Sequence, residues 1–105
     1  MFTISKQLLN GGVKDEKRFL RRLRTGAGLP GGQVLFYDAD ADVVAFMSAD
    51  ILMQKIQRRM PYHIFGIAKN SGEAKELMRA LTEEALAQTG TPDVVAYLKA
   101  REGLA

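Results

Sequence analysis

Two kinds of apolar spacing predict a single α+β domain. Short stretches that are alternately or continuously apolar, at 2–9, 34–37, 43–47 and 62–69, read as strands. Longer stretches with apolar residues every three or four positions, most of them closed by glycine or proline, read as helices. At 105 residues the chain has room for one hydrophobic core and not for two.

In the first stretch Phe2, Ile4 and Leu8 fall on one side and Thr3, Ser5 and Gln7 on the other. Lys6 interrupts the apolar side, which is the pattern of an edge strand. Asn10-Gly11-Gly12 breaks it. Asp15 suits the N-cap of a helix over 15–24 whose apolar positions are Phe19, Leu20 and Leu23. Val34-Leu35-Phe36-Tyr37 then suits a buried strand, and Val43 to Met47, beyond an acidic turn, folds back on it as a hairpin. Ser48 caps a helix over 49–60, where Leu52, Met53, Ile56 and Met60 recur at helical spacing and Pro61 ends the element. The competing reading is one long helix over 42–60 and a three-stranded sheet. Val43-Val44-Ala45-Phe46 has no clean polar face, which favours the hairpin.

The stretch 62–69 returns to strand character. Asn70 and Glu73 form a capping box for a helix striped by Ala74, Leu77, Met78, Leu81 and Ala85, and Gly90 ends it. Thr91-Pro92-Asp93 opens the last helix and Gly103 closes it. The predicted order is β-α-β-β-α-β-α-α. Its first six elements follow a ferredoxin-like domain, with two helices added at the C-terminal end.

Cysteine is absent and histidine occurs once, so disulfides, thiolate chemistry and multi-histidine metal sites are excluded. No charged segment followed by a long apolar run marks the N-terminus as a secretory signal. The longest mainly apolar stretch, 43–49, is strand-length, against about 18 residues for a membrane span. These features fit a cytoplasmic protein, with a bacterial-type cytoplasm the simplest setting.

The net charge of +3 is small but unevenly placed. Residues 1–32 hold seven cations and two anions, whereas 33–105 hold eight and ten. Lys14, Lys17, Arg18, Arg21 and Arg22 recur at i, i+3, i+4, i+7 and i+8, which gathers them on one face of a helix. Such a face can neutralise phosphates of a nucleic acid, dock an acidic partner or lie on an anionic membrane; it also serves simply as a solvated surface. Glycine flanks this helix on both sides, so 11–32 is expected to be mobile relative to the core. Gly26-Ala27-Gly28-Leu29-Pro30-Gly31 spells a dinucleotide-binding loop, but it follows a helix and precedes a strand, the reverse of what that chemistry requires.

Asp38 and Asp40, behind an apolar strand, are candidate ligands for Mg²⁺ at a phosphate. The arrangement resembles the first motif of the haloacid-dehalogenase phosphatases, which implies a nucleophile at Asp38 and an acid at Asp40. It departs from that motif at Ala41 and Asp42, where a small residue and then Thr or Val are favoured. The likeness covers only the strand and its turn, in a chain too short for the rest of that fold. As an EF-hand the segment fails at Val43 and Ala49, where Gly and Glu are required. A hairpin turn rich in Asp is the plainer account. Ile64-Phe65-Gly66-Ile67-Ala68 resembles the aromatic strand of an RNA-recognition motif but lacks its Arg-Gly. His63 reads as a structural imidazole, and Ser48 and Ser71 as capping or turn residues at helix starts.

The expectation is a non-catalytic binding or adaptor protein, with no cofactor, whose partner is another protein or a second copy of the chain. Nucleic acid bound by the basic helix is the alternative, and Mg²⁺-dependent phosphate chemistry at Asp38 and Asp40 comes third.

Overall fold

The computed structural model describes residues 2–27 and 29–104. Along the chain come β1 (Thr3–Gly11), α1 (Glu16–Thr25), β2 (Gln33–Asp38) and β3 (Val43–Ser48). Two single helical turns follow, α2 (Ala49–Leu52) and α3 (Lys55–Arg58), then β4 (Tyr62–Ala68), α4 (Ser71–Thr89) and α5 (Val94–Glu102). The four strands form one mixed sheet in the order β1-β4-β2-β3. The molecule is an α+β domain, as the apolar patterning predicts.

The sheet order corrects the ferredoxin-like expectation. That arrangement puts the first strand inside the sheet, whereas here β1 is an edge, parallel to β4 alone. Element order along a chain does not determine which strands pair. Lys6, exposed in β1, is the kind of residue that keeps an edge from pairing further. The hairpin of β2 and β3 is continuous from Gln33↔Ser48 to Asp38↔Val43, so the alternative of a long helix over 42–60 is excluded.

The helix expected over 49–60 is interrupted. Ser48 caps its first turn through a side-chain bond from the Asp50 amide, but Gln54 adopts an extended conformation and starts a second turn with no side-chain cap. Only part of the predicted stripe faces inward: Leu52 is fully buried, while Ile56 is 77% exposed. The break sets Arg58 against the end of α1, where its guanidinium donates to Leu23 O at 2.9 Å and Arg24 O at 3.1 Å.

Each sheet face has its own core. On one, Phe19 and Leu23 of α1 and Leu52 of α2 pack on Val34, Phe36, Tyr62, Ile64 and Ile67. On the other, Ala74 and Leu81 of α4 and Leu98 of α5 cover Leu35, Tyr37, Phe65 and Ala68. Coverage on both sides explains why β2 and β4 read as apolar runs without alternation. Gly32 makes the α1 contact possible, because a Cβ there would lie 2.9 Å from the Phe19 ring.

The two central strands are not in simple register. Phe65 is extra in β4 relative to β2, and Ser5 to Leu8 of β1 occupy the space that Phe65 alone occupies in β4. β1 therefore pairs at Thr3–Ile4 and again at Leu9–Gly11, and bulges between them.

Candidate functional site

The basic face forms because α1 is anchored on its opposite side. Asp15 caps the helix by accepting from the Arg18 amide at 3.0 Å, and Gly26 closes it in the left-handed conformation. Phe19 and Leu23 point into the core, which turns Lys14, Lys17, Arg18 and Arg21 to solvent. Arg22 is half-buried, with Nη2 donating to Ala27 O at 3.4 Å.

Lys14, Arg18 and Arg22 line, together with Asp15, a cleft of about 390 Å³ whose apolar lining is Val13, Phe19, Leu29 and Pro30. A second cleft of about 320 Å³ shares Lys14, Phe19, Leu29 and Pro30 and adds Lys69. Lys17 and Arg21 stand outside both. The glycine-rich connector thus carries one wall of the basic cleft, although Gly28 lies outside the described residues. Leu29 is held there by its amide, which donates to Asp50 Oδ1 at 2.9 Å.

Charge sorts by layer. The segments on the α1 side, 13–32 and 49–60, contain nine Lys or Arg and three acids. The opposite helical layer, 71–104, contains four and six. There Arg79 is spanned by Glu76 and Glu83 on the surface of α4, which holds its charge in place among acids.

The acidic turn is occupied by its own backbone. Asp38 Oδ1 accepts from the amides of Asp40 at 3.0 Å and Ala41 at 3.3 Å, an Asx turn that closes the hairpin. Asp42 has a left-handed backbone, φ 55°, and accepts the Tyr37 hydroxyl at 2.6 Å, with Lys99 Nζ 3.5 Å away. That hydroxyl, aided by Lys99, holds the Asp42 carboxyl below its ordinary range against the opposing effect of burial. Among the described residues no three His, Asp or Glu side chains gather as they would around a metal ion. Phe65, the aromatic of the strand that resembles an RNA-recognition motif, is fully buried under α4 and α5 and has no face to offer a base.

A second polar group lies where β1 bulges. In the parallel register Thr3 sits opposite His63, and the Thr3 hydroxyl lies 2.8 Å from His63 Nδ1. His63 Nε2 lies 2.8 Å from Glu102 Oε1, at the end of α5, and the Glu102 side chain is only 3% exposed. Arg101 approaches the other carboxylate oxygen at 3.6 Å and also donates to the Gln7 carbonyl at 3.3 Å. Burial pushes the Glu102 carboxyl up, but the Ser5 hydroxyl, His63 and Arg101 together hold it below the ordinary range. A cavity of about 330 Å³ opens beside this group, lined by Ile4, Ser5, Lys6, Gln7, His63, Arg101 and Glu102. The sequence pattern marks His63 as structural and gives no signal at Thr3 or Glu102. Their separations in sequence, 60 and 39 positions from His63, carry no motif. Only the β1–β4 register brings them together.

Compared with protein-family models, curated proteins and solved structures, the chain matches none. No helix among the described residues is long and apolar enough to cross a membrane.

Proposed function

We propose that this is a binding protein whose α1 layer takes up a polyanion, with nucleic acid the ligand class. The observation that supports this reading is the sorting of charge: nine cations against three anions on the α1 side, and the reverse bias on the α4–α5 side. Lys14, just before the Asp15 cap, and Arg18 and Arg22 of α1 line one cleft, and with Lys17 and Arg21 beside it on the helix they supply phosphate contacts. Among the described residues no exposed aromatic platform accompanies them, so affinity comes from the backbone charge of the ligand and not from its base sequence.

Binding of a labelled duplex at a series of salt concentrations tests this. Replacing Arg18, Arg21 and Arg22 with Gln keeps helix propensity and removes three charges. The log–log salt slope is expected to shrink by about 2 to 3. An unchanged slope would place the binding surface elsewhere, and no binding at low salt would reject the reading.

Association with a protein or with a second copy is the other reading, and β3 favours it. Its six residues, Val43 to Ser48, carry no charge, proline or glycine, and β3 forms the edge of the sheet opposite β1. Mass measurement by light scattering across a concentration series tests self-association, and a constant monomer mass would remove it.

A further inference from the structure

We infer that Thr3, His63 and Glu102 form a nucleophilic relay that acts on small acyl esters, an activity beyond the polyanion binding proposed above. The reasoning begins with the imidazole. A buried carboxylate 2.8 Å from Nε2 fixes the proton on that nitrogen, which leaves the Nδ1 lone pair directed at the Thr3 hydroxyl. Thr3 is exposed, and the side chains of His63 and Glu102 are 15% and 3% exposed, so the chain runs from solvent inward. Hydroxyl, base and orienting carboxylate within hydrogen-bond reach of one another constitute the arrangement that activates an alcohol for attack on a carbonyl. Arg101 Nη1, 3.6 Å from Glu102 Oε2, and the Ser5 hydroxyl favour the ionised carboxylate, while Glu102 Oε2 itself has no hydrogen-bond partner. A cavity of about 330 Å³ adjoins the base and the carboxylate, lined by His63, Glu102, Arg101 and Lys6 but not by Thr3.

The step balances without a further reactant. Thr3 Oγ1 bonds to the ester carbonyl carbon as its proton passes to His63 Nδ1. The tetrahedral intermediate collapses, breaking the bond to the alcohol oxygen, and the alcohol leaves with that proton. Water, deprotonated by His63, then attacks the acyl-threonine ester and releases the carboxylic acid, which restores the Thr3 hydroxyl. In this scheme Thr3 and His63 are catalytic residues and Glu102 is a positioning residue.

The test uses the full chain with p-nitrophenyl acetate. Release of p-nitrophenolate is expected together with an acetyl group located on Thr3 by fragmentation mass spectrometry. Thr3→Ala, an exposed change that leaves the core intact, is expected to lower the rate more than about tenfold and abolish the adduct, while Thr3→Ser retains both. Imidazole ¹⁵N shifts are expected to report the Nε2-protonated tautomer in the parent chain and a mixture in Glu102→Gln. A Thr3→Ala rate equal to the parent's, or acetyl found only on amines, would overturn the relay. So would a parent chain without turnover, or a tautomer unaffected by Glu102→Gln.

Discussion

Glu102 combines two conditions that rarely meet in one side chain: it is almost entirely buried, and it is held as a carboxylate. Burial alone would raise its proton affinity; the Ser5 hydroxyl, His63 and Arg101 reverse the sign. A carboxyl whose proton affinity is lowered by folding stabilises the fold while it is ionised. That contribution is fully present above the ordinary glutamate range and disappears as pH falls through and below it. The thermal midpoint of the parent chain should therefore drop more steeply on acidification than that of Glu102→Gln, which has no such proton to take up. Parallel acid limbs in the two proteins would show that the carboxylate gains nothing from its neighbours. Asp42 titrates in the same direction, since Tyr37 and Lys99 stabilise its anion, so the double variant Glu102→Gln/Asp42→Asn should flatten the limb further.

α1 is the element on which the basic face depends, and its attachment to the sheet is narrow. Leu23 is fully buried, and Phe19 packs across Gly32. Leu23→Ala should cost about 2 to 5 kcal/mol through reduced burial and the cavity left behind. Gly32→Ala forces a methyl against the Phe19 ring and should cost about 1 to 3 kcal/mol. Urea unfolding measures both, and a neutral Gly32→Ala would mean that the ring has room to move. The expected mobility of 11–32 belongs to this scale as well. Amide exchange tests it: exchange is expected to be fastest across 11–32, and strong protection throughout Asp15 to Arg24, where Phe19 and Leu23 are buried, would overturn the expectation. The local signals that place α1 and α4 are legible in the sequence because Asp15 and Asn70 cap them and Gly26 and Gly90 end them; α5 ends at Gly103 as expected but is capped by Asp93 and starts at Val94, beyond the Thr91-Pro92 opening that the sequence suggests. The β2–β3 hairpin is legible from its run and turn. Two things are not. The break at Gln54 has no proline or glycine near it to mark it, and the pairing of β1 with β4 depends on residues 60 positions apart. The basic half of the candidate site is a helical spacing and can be read directly, whereas the Thr3–His63–Glu102 half exists only through that pairing.

At the scale of the whole molecule, the sheet separates a basic layer from an acidic one, and this makes the proposed binding directional. A protein with a small positive net charge can bind polyanions weakly by its overall field alone, in which case any cation removed weakens binding equally. A surface that docks through one layer behaves differently. Arg18 and Arg21 lie exposed on α1, whereas Lys75 and Arg79 lie exposed on α4, and each pair contributes the same formal charge. Arg18→Gln/Arg21→Gln should reduce the duplex salt slope by about 2, because each phosphate left unneutralised keeps its own counterion. Lys75→Gln/Arg79→Gln changes the net charge by the same amount and should leave the slope unaltered. Circular dichroism on both variants checks that helix content is preserved, so that a difference in binding reflects position alone. Equal reductions from the two pairs would show that the layers act only through their sum, and the α1 face would then be a solvated surface with no partner of its own.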